Sequence, residues 1–424
     1  MIVSKTHFQS QSDTLPRSGP FARLPKFVLA AILIVVALAP AFAEPDPPTL
    51  RIGLVRYLKG APMVNISCSV DFVATGLKGR DKLTASTYLE PIEVFPRKDG
   101  LEIKRADGRS VMSRDDIRVA PAKPGGLLTI SAAARAFSQY RGVLEIRRVS
   151  ENALMVVNVV PLEDYLQGVL PAEMPASFRP EALKSQAIAA RTYAEHSRGR
   201  HKSTQYDLCD SYHCQVYLGS GGEKQTTSRA VTDTCGLVMR YKGDLISAVY
   251  SADCGGCTQT GDDAAMSQPE PYLRSIPDCP EVGKPDFCSV NKTHEWSKAF
   301  TPEELETALN AGLKPPLEGL KSLAFVQYDD SGRVRRVDIT DGKGVRSITG
   351  AELRKICGPS VIRSVKMIVC TTDDGKICFE GKGWGHGVGL CQWGAEGIAR
   401  PPWNYTSEQI LKRYYPGVEI VRLK

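Results

Sequence analysis

The sequence predicts an α+β fold, largely antiparallel β, with a helix-turn-helix elbow that presents one acidic residue. Three observations predict it. Short β-leaning runs separated by turn residues dominate from Leu50 onward and do not alternate with helices as βαβ units would. Leu162, Tyr165, Leu166 and Val169 recur at i, i+3, i+4 and i+7, the mark of a helix with one buried face. Leu183, Ala187, Ala190 and Ala194 define a second helical face shortly afterwards.

The elements follow in order. Residues 1–43 read as a signal peptide or signal anchor: a basic leader ending at Lys26, the apolar run Phe27 to Ala39, and the small-x-small site Ala41-Phe42-Ala43. The run is short for a membrane span, although Phe27 to Ala43 could serve as an uncleaved anchor. The chain is therefore expected to be exported, to the periplasm or cell envelope, touching a membrane only through that segment. Residues 44–125 form an N-terminal β-rich region, with strands expected at 51–56 and 63–67 and a break at Pro121 to Gly126. Residues 126–424 form the second region. In it, strands at 142–149 and 153–160 lead into the first elbow helix, which Pro171 is expected to stop. Pro175 pushes Met174 out of the helical region, leaving Glu173 in a short turn. The second helix opens at Pro180, a first-turn proline, and stops at Gly199. A β-rich segment is expected from Val216 to Tyr250. Capping boxes at Thr301 to Glu304 and Thr406 to Gln409 open two further helices, the first ending near Gly312.

Composition narrows the function. The net charge of +7 is modest and partly belongs to the leader, through Lys5, Arg17, Arg23 and Lys26, so nucleic acid is not an expected partner. All twelve cysteines lie beyond the leader, and an even count in an exported chain favours up to six disulfides. Cys279 with Cys288, and Cys370 with Cys378, would close short loops. Cys391 would pair with Cys357, Cys370 or Cys378.

A carboxylate on a rigid elbow suits proton transfer if its surroundings raise its pKa; otherwise Glu173 is a capping or solvated acid. Glu163, Asp164 and Glu181 are the other acids nearby, and a hydrolytic glycosidase would need one of them as a second carboxylate. The glycines at 381, 383, 385, 387 and 389 do not fit G-x-G-x-x-G, which removes a dinucleotide reading. Such dense glycine lets backbone approach a ligand, with Trp384 and Trp393 free to stack on it or be buried. Cys254-Gly-Gly-Cys257 does not open an obvious helix, which argues against thiol redox chemistry. No Ser/His/Asp nucleophile motif is present.

The elbow, Glu173-Met-Pro175 followed by Ala182 through Arg191-Thr-Tyr193, resembles the SpoIID/LytB family of bacterial cell-wall proteins. Further resemblance lies in Cys209 to Tyr217, Val231 to Gly236, Ser251 to Thr258, Pro271 to Ile276, and Gly383-Trp-Gly-His-Gly-Val-Gly-Leu-Cys-Gln-Trp-Gly-Ala395. The resemblance runs in order over roughly residues 50 to 420. It implies a peptidoglycan lytic transglycosylase acting on MurNAc-GlcNAc strands, preferably stripped of stem peptides, and giving 1,6-anhydro-MurNAc products. Glu173 would be the catalytic acid/base, half-buried near Leu170 and Met174. Arg191, Tyr193, Trp384, His386 and Gln392 are the implied substrate contacts. No cofactor is required for the chemistry. A structural zinc is implied on Cys209 and Cys214, with His201 or His213 joining them; disulfides, either Cys209–Cys214 or bridges from them to Cys254 and Cys257, are the competing and preferred reading. Cys391 and Lys382 depart from the small residues that relatives carry there. A cell-wall amidase is the implied partner, and the alternative function is a non-catalytic wall-binding enhancer of such an N-acetylmuramoyl-L-alanine amidase. A disulfide-rich structural protein of the envelope is a third reading.

Overall fold

The computed structural model describes residues 48–423 except 79–81, 88–89, 133–137, 263, 265–269 and 282; the expected export signal at 1–43 lies outside them. Alternating apolar residues build two large sheets. A seven-stranded sheet runs in the order Leu208–Cys209, Thr49–Gly53, Ala153–Pro161, Val143–Ser150, Ile117–Pro121, Phe72–Gly76, Lys82–Ser86. Every neighbour is antiparallel except the parallel pairing of Ile52 with Leu208 and Gly53 with Cys209. A six-stranded antiparallel sheet orders Ser138–Tyr140, Leu128–Ser131, Val64–Cys68, Ile92–Arg97, Gly100–Arg105 and Ser110–Ser113. Inward residues such as Ile52, Val64, Ile92, Val119 and Val156 join the elbow's Leu166, Leu170 and Ala187 in one buried core.

Strands before and after residue 125 pair with each other in both sheets, for example Leu128–Ser131 with Val64–Cys68. The boundary expected there is thus a connection from the seven-stranded sheet to the six-stranded one, and the described residues belong to one compact unit. A second buried core, from Trp296 and Leu305 to Leu353 and Phe379, lies under two three-stranded sheets, Glu295–Phe300 with Ile377–Lys382 and Met367–Thr371, and Ser322–Tyr328 with Val334–Thr340 and Val345–Thr349.

Three expectations need correction. The first elbow helix runs Leu162–Glu173 through Pro171. Pro171 lies in its last turn, so the missing N–H forfeits a single bond, to the Gln167 carbonyl, and the helix ends instead at extended Met174 before Pro175. The strand expected at 51–56 stops at Gly53, because Asp210 Oδ1 accepts the N–H groups of Val55 and Arg56 at 2.8 Å each and turns the chain into a short helix. Within the β-rich segment, Gln225–Asp233 is a helix with Thr227, Ala230 and Val231 buried, the last two among the core residues. Thr and Val in that stretch lean toward strand, and packing overrides them. Both capping boxes form, at Thr301 with Glu304 and Thr406 with Gln409.

Candidate active site

The elbow helices, Leu162–Glu173 and Pro180–His196, are locked together behind the site by Gln215. Its buried side chain accepts from Tyr165 Oη at 3.2 Å and donates to the Ala190 carbonyl at 3.2 Å and to Tyr250 Oη at 3.0 Å. The next residue places its amide on the acid: Val216 N–H donates to Glu173 Oε1 at 2.7 Å. Gly168 permits this approach. A Cβ there would sit 2.6 Å from the Tyr217 ring and 2.7 Å from the Gly219 carbonyl oxygen. Leu218 N–H in turn donates to the Gly168 carbonyl at 3.2 Å.

Glu173 opens onto a cleft of about 1170 Å³, lined also by Tyr193, Arg200, Tyr212, Tyr250, Trp384, His386 and Gln392. Burial raises the Glu173 pKa to about 7, although the Val216 N–H pulls the other way. Among the described lining residues Glu173 is the one carboxylate. A separate hollow of about 680 Å³ lies beside Trp296 and Met367, and there Lys382 keeps Glu295 below its usual range.

The glycine-rich segment forms the opposite wall. Tyr250–Ser251 pairs in parallel with Leu390–Cys391, and further bridges join Asp253 with Trp384 and Gln259 with Val388. Gly383, Gly385, Gly387 and Gly389 all adopt positive φ, which explains the dense glycine. At Gly389 a Cβ would meet the Val249 carbonyl oxygen at 2.1 Å.

Each expected contact has a definite place. Tyr193 lines the cleft and accepts from Arg200 Nη1 at 2.8 Å. Trp384 is 39% exposed, and the Arg363 guanidinium lies 4.8 Å from its ring centroid. Gln392 reaches the cleft and donates to Gln186 Oε1 at 3.4 Å. His386 faces the cleft with both ring nitrogens engaged: Nε2 donates to the Tyr250 carbonyl at 2.9 Å and Nδ1 accepts from Val388 N–H at 3.0 Å. Accepting at Nδ1 requires the neutral ring. Arg191 is a correction: it is fully buried away from the cleft. Its guanidinium grips Glu163 through two bonds of 2.8 and 2.7 Å and donates to the Leu237 and Val231 carbonyls. Trp393 packs edge-on against Phe178 and does not line the cleft.

All twelve cysteines are free thiols, so none of the expected bridges is formed. Cys209 and Cys214, with His201 and His213, bring four ligand atoms within 4.8 Å of one another. Cys214 Sγ lies 3.3 Å from His201 Nε2 and 3.5 Å from His213 Nδ1. This Cys₂His₂ set fits tetrahedral zinc with no position left open. Cys214 stands two residues before Val216, so the cluster anchors the loop that carries the Glu173 donor.

The residues the sequence reading missed are Gln215, Val216, Tyr250 and Gly168. Gln215 to Tyr217 lie within a family-like motif, but a backbone donor has no side-chain signature.

Residues 150–241 match the SpoIID family, described as Stage II sporulation protein, and residues 284–389 match a domain of unknown function, DUF8618. The chain is 34% identical over 271 residues to an uncharacterized protein of Brachyspira hyodysenteriae, covering 64% of this chain and 69% of that one. It is 32% identical over 292 residues to the amidase enhancer of Bacillus subtilis, covering 60% of this chain but 40% of that protein. Stage II sporulation protein D of Bacillus subtilis is 29% identical over 292 residues, covering 64% and 78%. Fold, motif order and these relatives agree: the chain belongs to the SpoIID/LytB family.

Proposed function

We propose that this protein is an exported peptidoglycan lytic transglycosylase with Glu173 as its single acid/base. The observation that carries the reading is a carboxyl with a pKa near 7, raised by burial, in a large cleft whose described lining offers no second carboxylate. At neutral pH a substantial fraction is protonated and can donate to the oxygen joining MurNAc to GlcNAc. The resulting carboxylate then takes the proton of the sugar's C6 hydroxyl as that oxygen attacks the anomeric carbon, closing the 1,6-anhydro ring. A hydrolase would need a second carboxylate to activate water or to form a glycosyl-enzyme. The attacking hydroxyl belongs to the substrate, so one acid suffices.

The Val216 N–H stabilises the carboxylate formed after donation, and Gln215 keeps that donor in place. His386, neutral and pinned, acts as a wall, while Trp384 and Tyr193 offer ring surface to sugars. A zinc ion on His201, Cys209, His213 and Cys214 would supply structural cross-linking of this loop, with no open position for substrate. Preference for peptide-stripped strands would make a cell-wall amidase the protein that acts before it.

The relative named amidase enhancer favours a second reading, in which the cleft holds glycan strands and stimulates an amidase without cleaving them. Incubation of glycan strands with the parent and Glu173→Gln separates the two readings: cleavage by the parent alone supports catalysis, and unaltered binding without cleavage by either supports the enhancer.

A further inference from the structure

We propose that Cys254, Asp278, Cys288 and Cys391 form a second metal centre, a buried Cys₃Asp site for a tetrahedral divalent ion of the zinc class. Their four ligand atoms lie within 4.8 Å of one another, and none of the four residues is more than 1% exposed. They come from four separate segments, and none falls within the residues 150–241 matched to the SpoIID family. The set shares no residue with the Cys₂His₂ cluster.

The internal spacing is that of ligands. Cys254 Sγ and Cys288 Sγ are 3.9 Å apart. A zinc tetrahedron with Zn–S bonds of about 2.3 Å has an edge of about 3.8 Å. A disulfide would require about 2.05 Å. The surroundings orient the ligands as an outer shell does. Cys391 Sγ accepts the N–H groups of Cys254 at 3.2 Å and Gly394 at 3.3 Å. Asp278 Oδ2 accepts Cys288 N–H at 3.2 Å, and Tyr414 Oη donates to Oδ1 at 2.5 Å. No cationic side chain hydrogen-bonds to this fully buried carboxylate among the described residues, and a buried charge needs a counter-charge. Gly394 leaves the room: a Cβ there would lie 2.7 Å from Asp278 Oδ2.

Three sulfurs select a soft or borderline ion over magnesium or calcium. Two guanidiniums offset the excess negative charge of such a centre. Arg333, fully buried, donates to the Cys254 carbonyl at 2.6 Å, and Arg413 donates to the carbonyls of Pro277 and Cys279, on either side of Asp278. With all four positions taken by protein the ion is structural. It staples the start of the Gln392–Ile398 helix to the Cys254 loop, joining the glycine-rich cleft wall to the strand that carries Tyr250.

The test uses protein purified under reducing, anaerobic conditions, with metal counted per chain. The parent should hold about two zinc ions and Cys209→Ser/Cys214→Ser about one, since that variant leaves all four proposed ligands intact. X-ray absorption of the variant should show three sulfurs at about 2.3 Å and one oxygen at about 2.0 Å, and adding Cys391→Ser should release the ion. A folded variant without metal overturns the proposal, as does a Cys254–Cys288 disulfide in a peptide map. If the variant does not fold, the parent decides. Two ions sharing five sulfurs support the site, and one ion with two sulfurs overturns it.

Discussion

Glu173 differs from Glu163 and Glu181 in that no cation pairs with it among the described residues. Glu163 is clamped by Arg191, and Glu181, despite its burial, is held below its usual range by Ser407 and Lys184. Glu173 has only the Val216 amide and is pushed up to about 7. Since the protonated form does the work, kcat/KM should fall as pH rises through about 7, and Glu173→Gln should lower the rate by about 10²–10⁴-fold. Stability should change in a related way. A carboxyl whose folded pKa exceeds its unfolded value binds its proton more tightly when folded, so stability is lost as pH rises from about 4.5 through about 7. Glu173→Gln should therefore leave stability unchanged near pH 4 and gain ~3 kcal/mol near pH 8 by chemical denaturation. An equal gain at both pH values would contradict the raised pKa. Arg191→Met should cost about 3–5 kcal/mol by leaving Glu163 without its partner, measured in the same way.

At the scale of elements, the elbow was legible because both helices carry a clear apolar period and Pro175 and Pro180 bracket the turn. The third wall of the site was not. Cys214 to Gly219 reach Glu173 through backbone amides and through the absence of a side chain at Gly168, neither of which leaves a pattern in sequence. Arg191 was misassigned for a related reason: a helical arginine in a family-like motif reads the same whether it faces a cleft or a buried glutamate. Gly168→Ala should force the Tyr217 ring and Gly219 carbonyl away, costing about 1–3 kcal/mol. As the Val216 donor retreats, the Glu173 pKa should climb further, moving the alkaline limb of the pH–rate profile upward. An unshifted limb with full activity would remove that loop from the site.

At the scale of the molecule, sequence pattern identified antiparallel α+β architecture, yet it divided at residue 125 what strand pairing joins, since pairing across that point is non-local. The thiols show the same limit: an even cysteine count cannot tell bridges from metal ligands, and the sequence does not show that Cys209 and Cys214 lie with two histidines within 4.8 Å. Removal of metal with a chelator under reducing conditions should lower the melting temperature and the activity together, with zinc restoring both. Loss of neither would leave the Cys₂His₂ cluster without a role in holding the acid. The central claim meets its most direct test in mass spectrometry of peptide-free glycan strands incubated with the protein lacking residues 1–43 and with its Glu173→Gln counterpart. The account predicts 1,6-anhydro-muramyl ends from the first and none from the second. Reducing-end products, or no cleavage by either, would contradict it.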